Sequence, residues 1–191
     1  MNKALFLDRD GVINVDHGYV YKAIDFDFID GIFDLVKRAN EQGYKVIVVT
    51  NQSGIGRGMY TEFDFTELTK WMVLEFAQRG AIINDVLYCP HHPKAELEQY
   101  KKVCACRKPN SGMLNTAAAQ HNISLTNSIM VGDKLSDVEA AIKAGLQEVV
   151  WFTPGFIEPI KVRAAESKIK SKYCKQTSIT LTHSLCTIIN S

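Results

Sequence analysis

Short apolar runs alternate with stretches of helical spacing along most of this chain. Ala4 to Leu7 and Lys45 to Thr50 are compact, apolar and rich in β-branched or aromatic residues, and each ends in polar residues and a turn. Both predict buried strands. Between them Ile32, Leu35, Val36 and Ala39 recur at helical spacing, with Gly43 placed to stop the helix. The alternation continues with a helix predicted over 62–79, a strand over 82–88, a helix over 111–121, a strand over 128–131, a helix after Ser136 and a strand over 148–152. Such a series predicts an α/β fold, a parallel sheet with helices on both faces joined by right-handed crossovers. Ligands on such sheets collect at the carboxyl ends of the strands.

Two stretches break the pattern. Pro90 to Val103 is a loop of prolines, histidines and charged residues, long for a compact α/β domain and in need of a reason to be ordered. Residues 156–175 hold six Lys or Arg against two Glu. In that stretch Ile157, Ile160, Ala164 and Ala165 predict a terminal helix packed on the sheet with its cations solvated. The expected organisation is a core over 1–155, including the loop 89–106, followed by a C-terminal helix and tail over 156–191 packed on the same domain.

Composition narrows the class. With 191 residues and 46% apolar side chains, the chain can bury one substantial core. A formal charge of +1 exerts no overall pull toward nucleic acid or acidic lipid. The opening residues through Asp8-Arg9-Asp10 are too charged for a signal peptide, and no stretch reaches membrane-spanning length. Five cysteines are an odd number, and three of them fall between Cys89 and Cys106, which suits metal binding in a reducing compartment better than disulfide stapling. The expectation is a cytoplasmic protein without membrane or nucleic-acid partners, and with no heptad repeat to point beyond a monomer.

Carboxylates mark the strand ends. Asp8 and Asp10 follow the first predicted strand at spacing i, i+2, so alternation along an extended chain lets both face one side while Arg9 faces away, and Gly11 permits a sharp turn. A carboxylate beside a second carboxylate and a hard cation can attack phosphorus while its neighbour manages the leaving oxygen's proton. Alone, Asp-x-Asp is ambiguous, since it also occurs as a metal site in nucleotide-sugar transferases and as a solvated loop. The second strand ends in Thr50-Asn51-Gln52-Ser53, either donors for a phosphoryl group or a capped turn. A third ends in Gly132-Asp133-Lys134 with Asp137 one helical turn on, either an acidic group from a third direction or a helix N-cap. Magnesium prefers oxygen ligands, about six of them, and Asp8, Asp10 and Asp133 suit that need.

Together, Asp8-Arg9-Asp10-Gly11-Val12-Ile13, Thr50-Asn51-Gln52, Lys108 and Gly132-Asp133 resemble, in chain order, the four motifs of the haloacid dehalogenase superfamily of phosphatases. The resemblance implies a Rossmann-like fold of that type and assigns roles. Asp8 would be the nucleophile, Asp10 general acid and then base, and Thr50 and Lys108 the phosphoryl stabilisers. Asp8, Asp133 and the main-chain carbonyl of Asp10 would hold magnesium. No large cap domain is evident between the early motifs, so loops alone would cover the site.

Cys89-Pro90-His91 and Cys104-Ala105-Cys106 bracket the irregular loop with three sulfurs and one imidazole, the donor set of a structural tetrahedral zinc. The competing reading is four unconnected residues, because one-residue spacings are tighter than in common zinc fingers. The paired spacing resembles the zinc loop of one subgroup, the heptose bisphosphate and histidinol phosphate phosphatases. A metal at Cys106 would fix the backbone that carries Arg107 and Lys108.

Residues 1 to 155 carry the resemblance to that subgroup, through Asp16-His17-Gly18-Tyr19-Val20, Asn51-Gln52-Ser53-Gly54-Ile55, Cys89-Pro90-His91-His92-Pro93 and Cys106-Arg107-Lys108-Pro109. It implies hydrolysis of the C7 phosphate of a heptose 1,7-bisphosphate through an aspartyl-phosphate. Substrate would contact Asp16, His17, Gly18, Tyr19, Thr50, Asn51, Gln52, Ser53, Lys108 and Lys134, with Arg107 on the distal phosphate or sugar hydroxyls. Arg57, in a glycine-rich stretch, would also turn toward substrate. Two readings compete: a histidinol phosphate phosphatase, which shares these motifs, and a zinc-stabilised nucleic-acid module, suggested by the basic tail. His92, His121 and His183 read as loop, helix-surface and tail residues, and Cys174 and Cys186 as plain thiols.

Overall fold

The computed structural model describes residues 1–153, 167 and 177–189. Six strands, β1 (Lys3–Leu7), β2 (Tyr44–Asn51), β3 (Asp85–Cys89), β4 (Ile129–Gly132), β5 (Glu148–Phe152) and β6 (Ser178–Thr182), form one sheet in the order β3-β2-β1-β4-β5-β6. Every pairing is parallel. The connecting helices are α1 (Ile32–Glu41), the short α2 (Ser53–Gly56), α3 (Glu62–Gln78), α4 (Gly112–His121) and α5 (Leu135–Ala144).

Strand alternation divides the core in two. Leu5, Leu7, Val46 and Val48 face one side, where they meet Ile32, Leu35, Val36 and Ala39 of α1 and Leu68, Met72 and Phe76 of α3. Ala4, Phe6, Ile47 and Val49 face the other, against Met113, Leu114 and Ala117 of α4 and Val138, Ala140 and Ala141 of α5. Helices therefore cover both faces. The boundaries are chemically marked: Thr61 and Asp64 form a capping box at the start of α3, and Gly43, at φ +79°, follows the end of α1.

Two features depart from the sequence expectation. The third strand begins at Asp85 rather than 82, because the Asn40 side chain takes both the N–H and the carbonyl of Ile82 (2.7 and 3.1 Å). Ser178–Thr182 adds a sixth strand on β5 where only helix and tail are predicted. Beyond it Leu185 and Ile189 are buried in the α1 side of the core, and Arg38 donates to the carbonyls of Leu185 and Cys186. The terminal helix predicted through Ile157 to Ala165 lies outside the described residues. Among those described, no helix is long and apolar enough to cross a membrane.

From β1 the chain builds β2 and β3 to one side and later β4, β5 and β6 to the other. The carboxyl ends of β1 and β4 thus flank the switch point, where splayed connections leave a crevice.

Candidate active site

Asp8 directly follows β1, Asp133 directly follows β4, and Asp137 sits in the first turn of α5. The Asp8 N–H donates to Val131 O at 3.0 Å, which extends the β1–β4 ladder to the crevice. Gly11, at φ +96°, passes so close that a Cβ there would lie 2.2 Å from Asp133 Oδ2, so only glycine fits. One carboxylate oxygen from each of Asp8, Asp133 and Asp137 falls within 4.8 Å of the others.

Three acids in so dry a place require countercharge. Lys108 supplies part of it, with Nζ 2.9 Å from Asp8 and 2.6 Å from Asp137 while donating to Val49 O at 2.8 Å. Burial disfavours the ammonium, but Asp137 and Asp8 outweigh it and raise its pKa. One cation is not enough. Burial, then the Asp8 charge, pushes Asp133 up to about 7, and burial raises Asp8 against the pull of Lys108. Asp133 Oδ1 is buried and has no hydrogen-bond partner among the described residues. An all-oxygen, over-negative donor set of this kind suits a hard divalent cation.

The Asp10 side chain lies apart from this cluster. Beyond Leu7 the chain leaves the strand, with Arg9 O accepting from the N–H groups of Val12, Ile13 and Asn14, so the predicted alternation of Asp8, Arg9 and Asp10 ends there. Arg9 does not face away: it is buried and donates to Asp10 Oδ1 through Nε (3.1 Å) and Nη2 (2.7 Å). Asn14 adds a donor to Oδ1, and Gln52 Nε2 donates to Oδ2 at 3.0 Å.

A cavity of about 290 Å³ opens beside these groups. Asp10, Asp16, Gly18, Tyr19, Asn51, Gln52, Ser53 and Lys134 line it, together with Tyr60. Lys134 Nζ bridges Asp16 (3.0 Å) and Asp133 (3.6 Å), tying the 16–19 loop across to the acidic cluster. Tyr19 holds φ +56°, uncommon for a bulky side chain, at the lip of the cavity. Asn51 makes a reciprocal pair with the backbone of Lys108, donating to its carbonyl and accepting from its N–H, both at 3.1 Å. Thr50 is buried and accepts from Gln52. His17 and Arg107 are not in the lining: His17 pairs with Asp27 in solvent, and Arg107 donates to His91 O.

Cys89, His91, Cys104 and Cys106 meet at the far end of β3. Their sulfurs stand 3.0 to 3.5 Å apart, and His91 Nδ1 lies 3.7 Å from Cys89 and 3.4 Å from Cys106. Zinc bonded to sulfur at about 2.3 Å needs tetrahedral edges of about 3.8 Å, so the slightly contracted quartet fits that ion. The loop is also gripped from outside, since Tyr88 and Tyr100 both donate to Glu62 at 2.6 and 2.7 Å.

Residues 105–168 match a HAD-hydrolase-like family model. A D-glycero-β-D-manno-heptose-1,7-bisphosphate 7-phosphatase from Photorhabdus laumondii is 47% identical over 164 residues, covering 86% of each chain. Its Vibrio cholerae namesake is 50% identical over 143 residues, 75% of this chain and 77% of that one. The chain belongs to the haloacid dehalogenase superfamily. Among solved structures, the D,D-heptose 1,7-bisphosphate phosphatase of B. bronchiseptica, complexed with magnesium and phosphate, superposes with a TM-score of 0.78 at 27% identity, covering 97% of this chain and 95% of that one.

Within this haloacid dehalogenase member, two site groups escape a reading of strand ends alone. Asp137 shares the acidic cluster, a position signalled by its helical spacing from Asp133. Tyr60 reaches the cavity from the α2–α3 connection, and nothing in its surrounding sequence marks it.

Proposed function

We propose that this haloacid dehalogenase superfamily phosphatase hydrolyses the C7 phosphate of D-glycero-β-D-manno-heptose 1,7-bisphosphate. The observation that carries the reading is the meeting of Asp8 and Asp133, at adjacent strand ends, with Lys108 from the loop before α4, beside a polar cavity. The substrate follows from relatives 47–50% identical that bear this name.

Asp8 attacks phosphorus and forms an aspartyl-phosphate while Asp10 gives its proton to the departing sugar oxygen. Asp10 then takes a proton from water as the water attacks the aspartyl-phosphate, freeing Asp8 and inorganic phosphate. Lys108 neutralises charge on Asp8 and the phosphoryl oxygens, and Thr50 and Asn51 complete the phosphoryl cradle. Magnesium, held by Asp8, Asp133 and the Asp10 carbonyl with Asp137 behind them, would withdraw charge from the phosphoryl group. Asp16, Gly18, Tyr19, Gln52, Ser53 and Lys134 hold the sugar and its reacting phosphate.

The distal phosphate goes to Arg107 and Arg57, which stand near enough to His92 to depress its pKa, after burial itself. A forked guanidinium suits a phosphate that is held and not cleaved. Zinc held by Cys89, His91, Cys104 and Cys106 would be structural, with every coordination position taken by protein. The enzyme works as a cytoplasmic monomer in nucleotide-activated heptose and lipopolysaccharide synthesis, without nucleic-acid or membrane partners.

Phosphorus NMR of the heptose 1,7-bisphosphate with enzyme and magnesium tests this reading. Loss of the C7 ester with the C1 ester intact is expected. Release from C1, or faster turnover of histidinol phosphate, would contradict it.

A further inference from the structure

Every neighbour hydrogen-bonded to Asp10 is a donor. Arg9 and Asn14 occupy Oδ1, which leaves Oδ2, hydrogen-bonded among the described residues only by Gln52 Nε2, as the oxygen that can carry a transferable proton. Whether Gln52 presents its amide nitrogen or its carbonyl there decides what happens to that proton. A carbonyl would accept a hydrogen bond from protonated Asp10 and hold the proton away from the substrate.

Tyr60 settles the orientation. Its hydroxyl is a hydrogen-bond partner of Gln52 Oε1 at 2.5 Å, and the same amide's nitrogen then spends its two hydrogens on Asp10 Oδ2 and Thr50 Oγ1. Burial raises the phenol's pKa, so it keeps its hydrogen, and Gln52 Oε1 is the acceptor placed to take it. The ring itself is fixed: it stacks on Tyr21 at 5.2 Å and 10°, and it lies so close over Gly54 that a Cβ there would come within 2.2 Å of it. Only 6% of Tyr60 is exposed.

We infer that Tyr60 is a positioning residue for proton transfer, locking the Gln52 amide so that protonated Asp10 can give its proton only to the leaving oxygen. The inference rests on the reading of Asp10 as general acid and adds to it a group whose hydroxyl is engaged by Gln52 and acts through it. Without the hydroxyl, the flipped amide becomes accessible whenever Asp10 is protonated, and a fraction of the enzyme holds its proton in an Asp10–Gln52 hydrogen bond.

Leaving-group dependence tests this. Wild type and Y60F are compared by kcat/KM, which covers steps only through departure of the leaving group, on the heptose bisphosphate and on p-nitrophenyl phosphate, whose phenolate leaves without protonation. Y60F should lose about tenfold on the sugar phosphate, a part of what a general acid contributes, and less than about twofold on the aryl ester. Equal losses on both substrates would show a merely structural role, and no loss on either would show that Gln52 needs no lock; each overturns the inference. If Y60F does not fold, Y21L, which removes the ring stacked on Tyr60, loosens the same lock and must show a weaker loss with the same selectivity for the sugar phosphate. Wild-type protein inactive on both substrates would instead end the phosphatase reading, and this inference with it.

Discussion

Lys108 is a buried cation with carboxylates at 2.6 and 2.9 Å, and this arrangement sets what its loss would do. Lys108→Met would leave Asp8 and Asp137 facing each other without countercharge, a change that costs about 3–5 kcal/mol when one partner of a buried pair is removed. A clear drop in melting temperature and at least about a hundredfold loss of kcat are expected, as when a fixed charge on the developing transition state is deleted. Turnover within about threefold of wild type would argue that the lysine is only structural. Asp133 makes a second prediction. Its folded pKa of about 7 stands above the ordinary 3.8, so its contribution to stability is fully present below that ordinary value and is lost as pH rises through the folded one. Magnesium binding should reverse this loss, and thermal melts should show a larger magnesium-induced rise at about pH 8 than at about pH 6. Equal rises would mean that Asp133 does not feel the ion. Asp8, Asp133 and Lys108 were legible in the sequence because strand ends and short motifs announce them. The Tyr60–Gln52 bond was not, because it joins residues brought together by the turn after α2, and Arg9 was misread because strand alternation stops at Leu7.

The cysteine loop is held by more than its cysteines. Glu62, at the start of α3, accepts from Tyr88 of β3 and from Tyr100 within the loop, and those two bonds hold its pKa below the usual carboxylate value. A depressed folded pKa means stabilisation present above the unfolded value and lost as pH falls through the folded one. E62Q should therefore lower stability by about 1 kcal/mol at neutral pH. The gap between the two melting curves should be constant from about pH 6 to about pH 8 and close in acid. A gap that changes across the neutral range would contradict this origin. Elements with strong periodicity, such as β1, β2, β5, α1 and α3, could be read directly from the chain. The onset of β3 could not, because Ile82 looks like strand yet gives its backbone to Asn40. Ser-Ile-Thr-Leu-Thr over 178–182 does alternate as a strand should, but its pairing on β5 is a long-range event that local pattern cannot announce.

On the scale of the whole molecule, one parallel sheet brings together two centres of different character. The acidic cluster lies at the switch between β1 and β4, and the sulfur quartet at the end of β3, two strands away. The segment from Cys106 to Lys108 connects them, so metal at one should govern cation placement at the other. Selective removal of zinc, with magnesium retained, is expected to lower both the melting temperature and the turnover. Unchanged values would detach the quartet from function. The central claim is that Asp8 bonds covalently to phosphorus, and acid-quenched mass spectrometry during turnover tests it most directly. The peptide containing Asp8 should carry a phosphoryl group in the wild-type protein, and D8N should carry none and release no phosphate; sustained phosphate release by D8N would contradict the account.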